Sequence, residues 1–143
     1  MDLNKIFALF DNKTENKPLT EIDNAVVELY EKPLFWVNMF EKLIRNNNVF
    51  KLQLKNTFKD DHYDPDMLCE AGDALVYNKA FMFLLLLDLN DEDHRHAIRT
   101  RTTYSYLVVA LITSMNYFTG TEEYEKCAVI KKILDFAMES LEA

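Results

Sequence analysis

Glycine and proline are scarce in this chain, with two glycines and three prolines in 143 residues. All-β domains need frequent turn residues, and α/β folds need a break at each strand end. The scarcity argues against both and for long helices joined by few turns. Cysteine is equally sparse: Cys69 and Cys127 have neither the number nor the spacing of a disulfide framework or a zinc site. Each falls at an apolar position of a predicted helix, as a free, buried thiol commonly does. Basic residues are outnumbered, 16 against 24 acids, so general binding to nucleic acid or an anionic membrane is not expected. The longest apolar run, Ala80 to Leu87, is too short to cross a bilayer. The first residues, Met1-Asp2-Leu3-Asn4-Lys5, lack the basic and apolar pattern of a secretory signal, which makes the cytoplasm the expected location.

What the chain does hold is apolar material. Hydrophobic residues make up 49% and aromatics 13%, enough for a packed core, and the length suits a single domain over 1–143. The expected fold is an all-α bundle of six to seven helices closed by an antiparallel helical hairpin. On the hairpin's first arm, apolar residues fall at Tyr104, Val108, Leu111, Met115 and Phe118; on the second, at Cys127, Ile130, Leu134, Ala137 and Leu141. Steps of three and four gather each series into one stripe, and a short turn at Thr119-Gly120-Thr121 sets the stripes face to face. The first arm is expected to begin at Asp91-Glu92-Asp93, braced by the pairs Asp91–Arg95 and Glu92–His96. Gly120 suits a left-handed cap, and Thr121 is placed to cap the second arm.

Upstream, Leu3 to Phe10 has the spacing of a short helix, and the polar stretch from Asp11 to Pro18 reads as a loop. Thr20 and Asp23 form a capping-box pattern ahead of the face Ile22, Ala25, Val26, Leu29 and Tyr30. Pro33 opens a helix over Leu34 to Arg45. Val49 to Phe58 alternates like a strand at Phe50, Leu52 and Leu54, yet steps by four at Phe50, Leu54 and Phe58. With no second strand to pair it, helix is the better reading. Asp64-Pro65 opens a further helix running into Phe81–Leu87, which with Tyr104–Phe118 is the part expected to be most buried. Gly72 in that helix marks either a kink or a close contact with another helix.

The charge is concentrated. Residues 60 to 93 hold ten acids against one base, Lys79, a net −9 against −8 for the whole chain, so the acidity belongs to this segment. That segment is the candidate binding surface for a protein partner with a basic face, with Asp60, Asp61, Tyr63, Asp64, Asp66, Glu70 and Asp73 as partner-binding residues. No catalytic, cofactor or metal residue is assigned. His62, His94 and His96 lack the three- or four-residue spacing of a helical zinc pair. Glu122, Glu123 and Glu125 lie in a helix's first turn, where the dipole already accounts for them. The cations Arg95, Arg99 and Arg101 are expected to pair internally or stand in solvent. Apolar surface left over on the hairpin would also permit a homodimer.

Two short stretches resemble known families. Leu68-Cys-Glu-Ala-Gly-Asp-Ala-Leu75 resembles the L-x-x-x-G-D core of the death motif in the B-cell-lymphoma apoptosis regulators, through Leu68, Ala71, Gly72, Asp73 and Leu75. That likeness implies an all-helical viral regulator with a groove for an amphipathic helix. Glu122-Glu-Tyr-Glu-Lys-Cys-Ala-Val-Ile-Lys-Lys-Ile-Leu-Asp135 is similar to the second helix of the nucleotide-excision-repair interaction hairpin, a run that recurs in small helical proteins of bacteria and phages. This one implies a hairpin used for protein–protein contact. Together with the charge layout it leads to a non-enzymatic interaction module, a small accessory or inhibitor protein of bacterial or viral type. A metal-dependent helical hydrolase and the apoptosis regulator are the alternatives.

Overall fold

Three of the helices start where a side chain accepts otherwise unpaired backbone N–H groups of the first turn, at Thr20, Asp64 and Asp91. A computed structural model describes residues 20–142, and the expected helix at Leu3–Phe10 and loop at Asp11–Pro18 lie outside them. Thr20 and Asp23 close the predicted capping box, the Thr20 hydroxyl accepting the Asp23 N–H at 3.1 Å and the Asp23 carboxylate accepting the Thr20 N–H at 3.1 Å. Helix α1 follows over Glu21–Tyr30, and Pro33 opens α2, Pro33–Arg45. After the single residue Asn46 comes α3, Asn47–Thr57. Asp64 accepts the Asp66 N–H at 2.9 Å and Pro65 starts α4, Pro65–Leu85, about 30 Å long at 1.5 Å per residue. Then come α5, Glu92–Thr102, α6, Leu107–Gly120, and α7, Tyr124–Glu142. Among the described residues the fold is all-α, with seven helices and no strand.

The ambiguous segment resolves as helix because its step of four finds a partner. Phe50 and Leu54 turn toward Gly72 on α4, where a Cβ would lie 3.1 Å from Leu54 Cδ1 and 3.2 Å from Lys51 Cγ. Leu52, which only a strand would have buried beside them, is 59% exposed. Gly72 therefore marks a close helix contact.

The core lies where α2, α4, α5, α6 and α7 converge, with Phe40, Leu84, Ile98, Leu111, Phe118 and Ile130 fully buried. Helices α6 and α7 run back along each other, with Cys127 beside the Met115 carbonyl and the Thr119 hydroxyl.

Several expectations are corrected. The first arm is not continuous: the chain breaks at 103–106, and Tyr104 leaves its stripe for solvent at 97% exposure. Glu41 explains the break. Its carboxylate, 1% exposed on α2, accepts the Tyr106 N–H and an Arg101 N–H, both at 2.9 Å, and so holds the bend between α5 and α6. The buried part thus begins at Leu107. In Phe81–Leu87 only one side is covered; Phe81, Phe83 and Leu84 are buried, while Met82, Leu85 and Leu86 face solvent. Gly120 stays helical, and Glu122 takes the left-handed conformation with φ 61°. The Thr121 hydroxyl lies against the Phe118 carbonyl and the Glu123 carboxylate and caps no N–H of α7. Finally, Arg95 pairs with Glu92 and not with Asp91, and Arg99 joins the same carboxylate at 2.9 Å.

Candidate partner-binding surface

The acidic segment does not form one surface. Helix α4 lies inside it and carries its two groups of acids to opposite ends, about 30 Å apart. At the first end, the turn between α3 and α4 and the opening of α4 bring together Asp60, Asp61, Tyr63, Asp64, Asp66 and Glu70, all exposed. The chain reverses there through His62, which sits in the left-handed region at φ 60°. Tyr63 packs edge-on against Phe58, ring centroids 5.5 Å apart, and is still 54% exposed. Met67 follows at 61% exposure. Asp64 is engaged as a cap, whereas Asp60, Asp61, Asp66 and Glu70 have no side-chain partner among the described residues.

Asp73, the seventh candidate, is set apart. Its carboxylate accepts the Asn47 amide at 2.8 Å and pairs with Lys51 at 3.1 Å, tying α3 to α4. It also raises the pKa values of Tyr77 and Tyr117, for which burial is the larger cause; their rings stack 4.1 Å apart and 5° from parallel. Asp73 braces the helix pair beneath the tip and is not presented by it.

At the other end the acids are occupied except Asp93, which is exposed and has no side-chain partner among the described residues. Asp88 accepts the Asn90 N–H at 2.9 Å, and its own N–H donates to His94 Nδ1 at 2.8 Å. Asp91 accepts the Asp93 N–H at 2.9 Å as the cap of α5. Glu92 takes hydrogen bonds from Arg95 and Arg99, which hold its carboxyl below the usual range. His94 stands edge-on to Trp36 at 5.3 Å.

No group of three or more histidine, cysteine or acidic side chains is placed to hold a metal ion among the described residues. Of the other acidic cluster, Glu123 is bound to Lys126 at 2.8 Å and to the Thr121 hydroxyl; Lys126 first and Thr121 second hold its carboxyl below the usual range. The Lys126 ammonium also lies 4.9 Å from the Phe118 ring centroid. A cleft of about 250 Å³ opens beside α1 and α4, lined by Tyr30, Lys79, Met82, Phe83 and Leu86, under the roughly 300–1,000 Å³ usual for small-molecule sites. No described helix is long and apolar enough to cross a membrane.

Glu41 is a structural side chain, and its burial is signalled in the sequence. Val37, Phe40, Glu41 and Ile44 follow the spacing of one buried helical face, so an acid at that position had to find a buried partner. No family model matches the chain, and neither the curated proteins nor the solved structures compared with it give a match.

Proposed function

We propose that this chain is a non-enzymatic protein–protein interaction module of the cytoplasm whose α3–α4 tip receives a basic surface of a partner protein. The observation that supports this reading is the company the acids keep. Asp60, Asp61, Asp66 and Glu70 have no internal partner, and they surround two large exposed side chains, Tyr63 and Met67. Carboxylates without a structural task steer an oppositely charged partner, and an aromatic ring with a flexible thioether beside it supplies the apolar contact. Tyr63 is already held against Phe58, so little rotamer freedom is lost on docking. The role is that of a small accessory or inhibitor protein.

Affinity purification from the native host tests it, with wild type beside the Asp60→Lys, Asp61→Lys, Asp66→Lys triple variant. These positions are exposed and cap nothing, so the variant keeps its fold. A partner recovered by wild type and lost by the variant, with recovery falling as salt rises, is the expected result. Equal recovery by both proteins sinks the acidic tip as the binding surface.

A further inference from the structure

Helix α6 is out of keeping with the rest of this acidic chain: no charged side chain occurs anywhere in Leu107–Gly120. Its core-facing side is Leu107, Ala110, Leu111, Ser114 and Phe118. The opposite side, open to solvent, is also uncharged, with Val109 48% and Ile112 42% exposed. Beside it α7 presents Lys131, Asp135, Met138 and Glu142, all exposed, with Lys131 paired at 3.5 Å to Asp135 of its own chain at the surface, where such a pair is weak and leaves Lys131 able to meet a further carboxylate. Their spacing of four, three and four is the same in both directions along the helix. A two-fold axis across the middle of this stripe therefore sets Lys131 of one chain opposite Glu142 of another, and Asp135 opposite Met138. A parallel pairing would instead set Lys131 against Lys131 and Glu142 against Glu142.

From these observations we infer that the outer face of α6 and α7 docks on a second copy of this chain, the two α7 helices running antiparallel. Charge complementarity selects that occupant, because the stripe matches itself only in this direction. The α6–α7 packing brings more of the same face into the contact. Cys127 lies beside Met115 and Thr119, so each residue further along α7 meets one earlier on α6. The axis then falls level with the start of α6, where Val109 stands exposed and Tyr104 is 97% exposed with no described neighbour to cover it. Two helices of this length side by side offer roughly 500 Å² in projection, less than the roughly 800 Å² per partner of a standard interface, so the dimer is weak and concentration-dependent.

Sedimentation velocity on the full chain from about 5 to about 500 µM tests the inference, the upper limit suiting an interface of this size. Wild type is expected to move from 16.8 kDa towards twice that mass as concentration rises. A Val109→Glu, Met138→Glu double variant, both positions being exposed, is expected to stay monomeric with unchanged helical circular dichroism. Lys131→Glu weakens the dimer by about fivefold or more, and Lys131→Glu with Glu142→Lys restores it. Wild type that remains monomeric throughout overturns the inference, as does a dimer that survives the double variant. Failure of the charge swap to restore association overturns the antiparallel register.

Discussion

The two ends of α4 have similar shares of acidic residues and put them to different uses. At the α5 end, Asp91 caps a helix, Asp88 closes a turn and Glu92 receives two guanidinium groups. At the α3 end Asp64 has such a task and Asp66 sits in the first turn of α4, where the dipole favours it, while Asp60, Asp61 and Glu70 stand in water near Tyr63 and Met67. The difference teaches that an acidic stretch is not a unit of function. Carboxylates that complete a helix terminus or an ion pair are accounted for by the fold, and the remainder are those for which a partner is the better explanation. The comparison makes opposite predictions for substitutions at the two ends.

The largest effect is expected from an acid in neither group. Glu41 is buried on α2 and serves α5 and the bend after it through Arg101 and Tyr106. Its removal leaves a guanidinium and a backbone N–H without their acceptor. Arg101 is one-third exposed and water can reach it, so Glu41→Ala should cost about 1–3 kcal/mol, the range for leaving a buried donor without its acceptor. Chemical denaturation measures it, and a loss under about 1 kcal/mol would show that solvent reaches the bend and replaces the carboxylate. Such a result would weaken the contrast between engaged and unengaged acids at its strongest point.

A direct contest between the ends comes next. Asp91→Ala removes the cap of α5 and should lower stability by about 1 kcal/mol. The Asp60→Asn, Asp61→Asn, Asp66→Asn triple variant removes three charges from the tip and should change stability by no more than about 0.5 kcal/mol, with an increase as acceptable as a decrease. Paired thermal melts decide it. Should the tip variant lose as much as Asp91→Ala, its acids have structural work and the case for a partner surface there fails.

The sequence revealed the helices well and their exposure less well, for identifiable reasons. Caps are local, so Thr20 with Asp23, and Asp64 with Pro65, announce their helices within a few residues. Val49–Phe58 was legible once no pairing strand could be found. Burial is not local. Phe81–Leu87 is apolar all round, and the packing of Phe83 against Tyr30 and Phe35 and of Phe81 against Phe118 determines that these two go inward while Met82, Leu85 and Leu86 do not. The break at 103–106 was invisible for the same reason, since its cause, Glu41, lies more than sixty residues upstream. Among the candidate binding residues, Asp73 looked like its neighbours because Asn47 and Lys51, which occupy it, are on another helix.

The smallest expected effect concerns protons. Hydrogen bonds from Arg95, and then from Arg99, stabilise the ionised form of Glu92 and hold its folded-state pKa below the ordinary 4.5. A carboxyl depressed by folding contributes stability that is present above its unfolded value and is lost as pH falls through the folded one. Because Glu92 is at the surface, solvent and salt screen the pair and the contribution is small. Melting temperature against pH should therefore show a slight acid-side loss in wild type, below pH 4.5, that Glu92→Gln does not show. The carboxyl carbon of Glu92, followed by NMR, should titrate with a midpoint under 4.5. A midpoint at or above that value would mean the two guanidinium groups do not hold Glu92 in solution. The α5 end would then carry a second unengaged carboxylate beside Asp93, and the contrast between the two ends of α4 would narrow to caps alone.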